Sequence, residues 1–236
     1  MEASLPAILP NSGRIALAGS LKSQKFHIAW GVGEDWWDMP HNAFVALDIA
    51  GRAKLPHAPV LSVEVRSSDG TYLYASGSDY TVSTLTGEIV RVPTGTIPAG
   101  ATLDVSYIAG RRVLEGFETG LIAEVGRRLA NSVAFVAENA NGEIELPSGT
   151  RYSISETPTR SLYVSANFAF SDASDATIRE VAIILNTVPV AGVSPEKPYL
   201  LPAEVADSGT LLLIDRPKPI LRSAATASQL AYVITL

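Results

Sequence analysis

A chain of 236 residues holds one large domain or two small ones, and 47 % hydrophobic against 18 % charged residues excludes intrinsic disorder. A formal net charge of −6 with no basic tract removes the positive field that displaces counterions from nucleic-acid phosphates, and the absence of cysteine removes disulfides, thiolate metal sites and a thiol nucleophile. The low charge fits either a surface covered by neighbouring subunits or a compact β protein with Ser/Thr-rich loops.

In chain order, the first segment MEASLPAILPNSG has no basic start and is broken by Pro6 and Pro10, so it does not read as a secretory signal. No later apolar run is long enough to span a bilayer as a helix. Val60–Val65, Thr71–Tyr74, Tyr80–Leu85, Glu88–Val92 and Leu103–Ile108 read as short strands punctuated by the turns Ser68-Asp69-Gly70, Thr86-Gly87 and Pro98-Ala99-Gly100. That rhythm over residues 44–110 predicts a small β-sandwich. Phe117, Leu121, Val125 and Leu129 repeat every four residues and predict a short helix, with Thr119 as its cap and Gly126 weakening it. Val133–Val136 and Glu143–Leu146, around Ala140-Asn141-Gly142, predict a hairpin.

Leu162, Val164, Ala166, Phe168 and Phe170 alternate onto one face of a strand. Thr177–Leu185 suits helix or strand, and its β-branched residues favour strand. The last third carries Pro189, Pro195, Pro198, Pro202, Pro217 and Pro219, which predicts extended loops with edge strands at Leu211–Ile214 and Leu230–Leu236.

No pattern names a catalytic or cofactor site. His27, His41 and His57 have no metal-ligand spacing, Gly31-Val32-Gly33 is a lone G-x-G, and G-x-S-x-G, P-loop and H-E-x-x-H motifs are absent. Asp172, Asp175 and Glu180 are hard-ligand material without a calcium-loop spacing and read as a solvated turn. Trp36 and Trp37 beside Glu34, Asp35 and Asp38 suit either sugar stacking or, as expected here, core and interface packing. The expectation is a non-enzyme with no metal and no cofactor.

Several segments stand in order: Phe26–Gly31 (FHIAWG), Thr119–Arg128 (TGLIAEVGRR), Gly142–Ile144, Tyr152–Leu162, Asp172–Val181 and Gly209–Leu212. Together they resemble a family of bacteriophage tail and baseplate structural proteins, across most of residues 25–236. The resemblance is interrupted near Pro40–Glu115, and Gly77–Val82, Thr86–Ile89 and Ile97–Gly100 there look like small β-modules of phage tail proteins.

The expected architecture is therefore mainly β. A discontinuous sandwich-like core, 1–43 and 111–236, carries one short helix, and 44–110 forms an inserted small β-sandwich, Ig-like in kind. The resemblance implies a structural tail component, at a baseplate or tail-fibre attachment. It would sit in the virion in symmetric copies with other tail proteins, after assembly in the host cytoplasm, with no nucleic acid and no membrane span. A receptor- or carbohydrate-binding module and a neck or collar protein are the alternatives. Glu124, Arg127, Arg128, Arg179 and Glu180 are expected as structural ion pairs. Leu5, Ile8, Leu9, Tyr199, Leu200 and Leu201, with Trp36 and Trp37, are expected at interfaces, on extended arms Met1–Ser20 and Val188–Pro219.

Overall fold

The structure, a computed structural model, describes residues 8–146, 148–225 and 227–236. The chain divides into two compact units, one of Met1–Gly33 with Thr119–Leu236 and one of Glu34–Glu118. The first unit opens with helix α1 (Asn11–Lys22) and strand β1 (Phe26–Gly31).

The second unit holds β2 (Pro40–Ala46), β3 (Arg52–Lys54), β4 (Val60–Ser67), β5 (Tyr80–Ser83), β6 (Glu88–Arg91) and β7 (Thr102–Ala109). They form two three-stranded antiparallel sheets, in the orders β2-β7-β4 and β3-β6-β5. Alternation decides what is buried: Leu103, Val105, Tyr107 and Ala109 point inward from β7 and join Val60, Val65, Ala53, Tyr80 and Ile89 in one core. Pro40–Ala46 pairs along its whole length with Thr102–Ala109, which sets the start of the unit before residue 44. Asp79 pins the loops: its carboxylate accepts from the Ala75 and Thr96 amides at 2.8 and 2.7 Å. Those amide bonds hold its carboxyl below the usual carboxylate range.

The first unit continues with β8 (Glu124–Leu129), β9 (Ser132–Glu138), β10 (Ile144–Glu145), β11 (Arg151–Ile154), β12 (Ser161–Phe168), β13 (Thr177–Ile178), β14 (Glu180–Leu185) and β15 (Val188–Pro189). It ends with β16 (Tyr199–Leu200), β17 (Val205–Asp207), β18 (Thr210–Asp215), β19 (Ile220–Leu221) and β20 (Ser228–Thr235). Two five-stranded antiparallel sheets result, β16-β8-β1-β14-β18 and β10-β11-β9-β12-β20. They share one core. Phe26, Ile28 and Trp30 of β1 and Val181, Ile183 and Leu185 of β14 meet Leu162, Val164, Ala166 and Phe168 of β12. The rings of Trp30 and Phe168 lie 3.6 Å apart. Every residue of β1 and β14 is buried, because the outer face of the sheet is also covered, with Ala29, Ala182 and Ile184 packed against Leu121 and Leu211.

The expected β-rich class holds, and so do the strands at Thr177–Leu185, Leu211–Ile214 and Leu230–Leu236. Other expectations are corrected. The helix expected over Phe117–Leu129 is absent: Glu124–Leu129 is strand β8, and Phe117 is 87 % exposed, so the four-residue repeat does not form one packed helical stripe. Gly126 explains the outcome. It pairs with Trp30 in extended backbone, and a side chain there would collide with the Tyr199 hydroxyl. A helix forms instead at Asn11–Lys22, inside the arm expected to be extended, and seats Ala18 and Leu21 on the core. The hairpin around Asn141-Gly142 does not pair as expected either, since β10 pairs with β11, and β11 with β9. Phe170 lies beyond the end of β12 and is exposed.

Candidate functional site

The motif segments FHIAWG, EVGRR and REVAII are scattered in sequence but become three neighbouring strands, β8-β1-β14. Their charged residues are held in ion pairs and hydrogen bonds. Arg127 is 2 % exposed and uses its whole guanidinium fork. Its Nε and Nη2 donate to the two Glu124 carboxylate oxygens at 2.8 and 2.7 Å, and Nη1 donates to Thr187 Oγ1 at 2.7 Å and the Ser208 carbonyl at 2.8 Å. Such bidentate, charge-assisted geometry is the strong form of the interaction. In a regular strand, residues three apart face opposite sides. Here the register slips between Trp30 and Gly31, so a β-bulge at Val125 brings Glu124 onto the face of Arg127.

Glu180, fully buried, is the second node. Its Oε1 accepts from Arg216 Nε at 3.0 Å and its Oε2 from the Ile122 amide at 2.8 Å. One carboxylate thereby ties β14 to the segments after β18 and before β8. Arg179 donates to the Val32 carbonyl at 3.4 Å. Arg128 pairs with Asp172, whose carboxylate also accepts from the Ala169 amide. Arg222 reaches the carbonyls of Ala169 and Asp172, and its guanidinium lies 4.9 Å over the Trp30 ring.

Of the five residues expected as structural ion pairs, Glu124 pairs with Arg127, Arg128 with Asp172 and Glu180 with Arg216, and Arg179 bonds a backbone carbonyl. Their partners Asp172, Arg216, Thr187 and Ser208 carry no local signal for this role, because they lie 36 to 81 positions from the charged groups they meet. Of the carboxylates considered for a cation, Asp172 and Glu180 are engaged by arginines and backbone amides, and Asp175 is exposed. Among the described residues no group of three His, Asp or Glu is placed to hold a metal ion.

The expected interface residues separate into two kinds. Leu200 is 1 % exposed and belongs to the core, which corrects its placement on a docking arm. The cause is β16, which adds Tyr199 and Leu200 to the edge of β8 and folds the proline-rich segment back onto its own sheet. Tyr199 is half-buried, donates to the Val125 carbonyl at 3.2 Å, and has its phenol pushed up to about 12 by burial first and then by Asp172. Ile8, Leu9 and Leu201 are exposed, as are Val188, Leu221 and Phe117. Leu5 lies outside the described residues.

In the second unit Trp37 is fully buried, with its ring edge-on to that of Trp36 at 6.2 Å, and is not a surface group. The Trp36 ring stacks on His57 at 4.8 Å, His57 Nδ1 lies 2.8 Å from the Tyr107 hydroxyl, and His41 packs 4.3 Å from His57. A sugar would have to displace His57 to use that face of Trp36. The nearby carboxylates are also engaged: Asp38 takes Arg111 Nε on both oxygens at 3.0 and 3.1 Å, and Glu34 pairs with Arg112 at 3.5 Å.

Paired charges that fasten strands, closed aromatic clusters and an exposed set of apolar side chains define a mainly β protein whose buried polar groups serve its own structure. Residues 115–236, just over half of the chain, match the family described as baseplate wedge 3 tail fiber network component, and the chain belongs to that family. A second match is to the tail sheath protein of Burkholderia phage BcepMu, 45 % identical over 62 residues. That stretch is 26 % of this chain and spans only 13 % of the relative. The matched family region begins within the second unit and contains β8 to β20, with Glu124, Arg127 and Glu180 inside it.

Proposed function

We propose that this chain is a non-enzymatic subunit of the phage baseplate, bound to other tail proteins in the virion and assembled in the host cytoplasm. The supporting observation is the family match over residues 115–236, the region whose charged side chains are engaged in fastening strands. Rigid, internally paired charge leaves the exposed apolar groups, Ile8, Leu9, Leu201, Val188 and Leu221, as contacts for neighbouring proteins. Among the described residues no helix is long and apolar enough to cross a membrane. The test is genetic and visual. Phage lacking this chain should yield particles without complete baseplates, and a label on it should appear at the baseplate end in negative-stain images. Complete, infective particles without it, or label at the head-proximal end, would refute the reading.

Glu34–Glu118 is in this reading an insert that folds independently between β1 and β8. Its two sheets enclose a core drawn wholly from its own residues. A fragment of residues 34–118 should melt cooperatively with a β-type circular dichroism spectrum. A fragment without a thermal transition would count against autonomy.

A further inference from the structure

Sheet edges are templates for pairing, and proteins protect them with short strands, charge, proline or bulges. Most edges of this molecule carry such protection. β10 and β16 are two residues long, β18 is bulged in its register with β14 and ends in Asp215, and β4 is bulged and carries Glu64 and Arg66. β3 is three residues with Arg52 and Lys54, and β2 starts with Pro40. β20 has none of these. It runs eight residues, Ser228–Thr235, without charge or proline, in unbroken register against β12.

The hydrogen-bond phase shows which groups face outward. The Leu236 amide donates to the Arg160 carbonyl of the β12 side. Antiparallel pairs alternate, so Ile234, Tyr232 and Leu230 bond β12, while Gln229, Ala231, Val233 and Thr235 present amide and carbonyl to the outer edge. Leu230, Tyr232 and Ile234 pack on the core, and Gln229, Ala231 and Thr235 are exposed. Among the described residues no backbone group bonds that outer edge.

We infer that β20 pairs antiparallel with β20 of a second copy about a two-fold axis, joining two five-stranded sheets into one of ten. In such an isologous contact each residue near the axis meets its own surroundings again, so any net charge on the strand would face the same charge. SQLAYVIT carries none. With full overlap centred on Tyr232, Ala231 of one copy lies opposite Val233 of the other. The inference rests on the reading of the chain as an assembly subunit, and it is tested on purified protein. Failure here therefore leaves the particle experiment untouched.

Sedimentation equilibrium of the full chain, from micromolar to submillimolar concentration, should show a dimer. Ala231→Lys with Val233→Lys places lysine against lysine across the axis and should raise the dissociation constant at least tenfold. Ala231→Lys with Val233→Glu places lysine against glutamate and should restore the dimer. Melting curves of both variants check that the monomer is intact, since both side chains sit on the face away from the core. A wild-type monomer throughout, a dimer indifferent to the lysines, or failure of the Lys/Glu variant to recover would overturn the inference.

Discussion

Glu180→Ala should be among the most destabilising single changes in this molecule. The substitution leaves the Ile122 amide without its acceptor and removes the carboxylate from Arg216, whose side chain is only 9 % exposed. Breaking a buried pair by deleting one partner costs about 3–5 kcal/mol, because the remaining charge keeps its desolvation penalty. For a domain of this size that is a fall of roughly 6–20 °C in Tm. Glu180→Gln retains an acceptor and should fall between the wild type and Glu180→Ala. Thermal melts of the three proteins, followed in the transition of the first unit, give the ranking. A double-mutant cycle with Arg216→Ala isolates the pair energy. A Glu180→Ala protein melting with the wild type would show that the strands are held by apolar packing alone.

The second large effect is pH-dependent and comes from His27. It is 1 % exposed, on the outer face of β1 opposite Leu129 and Ile184, and neither ring nitrogen has a hydrogen-bond partner among the described residues. Burial, with Arg127 and then Lys25, lowers its pKa from 6.5 to about 4. The unfolded chain therefore takes up a proton before the folded protein does. The contribution of neutral His27 is complete above the unfolded pKa and is lost as pH falls from 6.5 towards about 4, reaching roughly 3 kcal/mol. His57, also lowered by burial and then by His41, acts in the same direction in the other unit. The readout is accordingly the difference between wild type and His27→Leu, in denaturant midpoints from pH 7.5 to 4.5. The variant should lose less stability than the wild type over that window, and parallel curves would contradict the assignment.

How much of this was legible in the sequence depended on the range of the deciding interaction. β12 and β7 show plain alternation, and β14 shows β-branched residues; both signals are local. The region after Phe117 misled for a reason that is also local. Leu121, Val125 and Leu129 satisfy a helical repeat, but Gly126 is selected by close approach to Tyr199, 73 positions away. β16 could not be read at all, because two residues carry no periodicity and become a strand only by meeting Arg127 and Arg128. The Glu124–Arg127 pair depends on the bulge at Val125, which no local pattern announces. The aromatic neighbours of Trp36 needed the fold, since His57 and Tyr107 arrive from different strands and loops.

The place of β1 in the middle of its sheet also sets a schedule for synthesis. Its neighbour β8 lies beyond the whole second unit, and its other neighbour, β14, is later still; Lys25 and Asn186, joined just beyond the two strand ends, are 161 positions apart. At translation speeds of about 5–20 residues per second, that separation is a wait of roughly 8–30 seconds. Until β8 is made, an apolar strand with both faces meant for burial stays without either partner, and until β14 is made it still lacks one, while Glu34–Glu118 has time to fold on the ribosome. High contact order of this kind slows closure of the sheet. The nascent segment FHIAWG is then a natural client for a holdase chaperone, and yield from recombinant expression should depend on ribosome speed and chaperone supply more than on the stability of the finished fold.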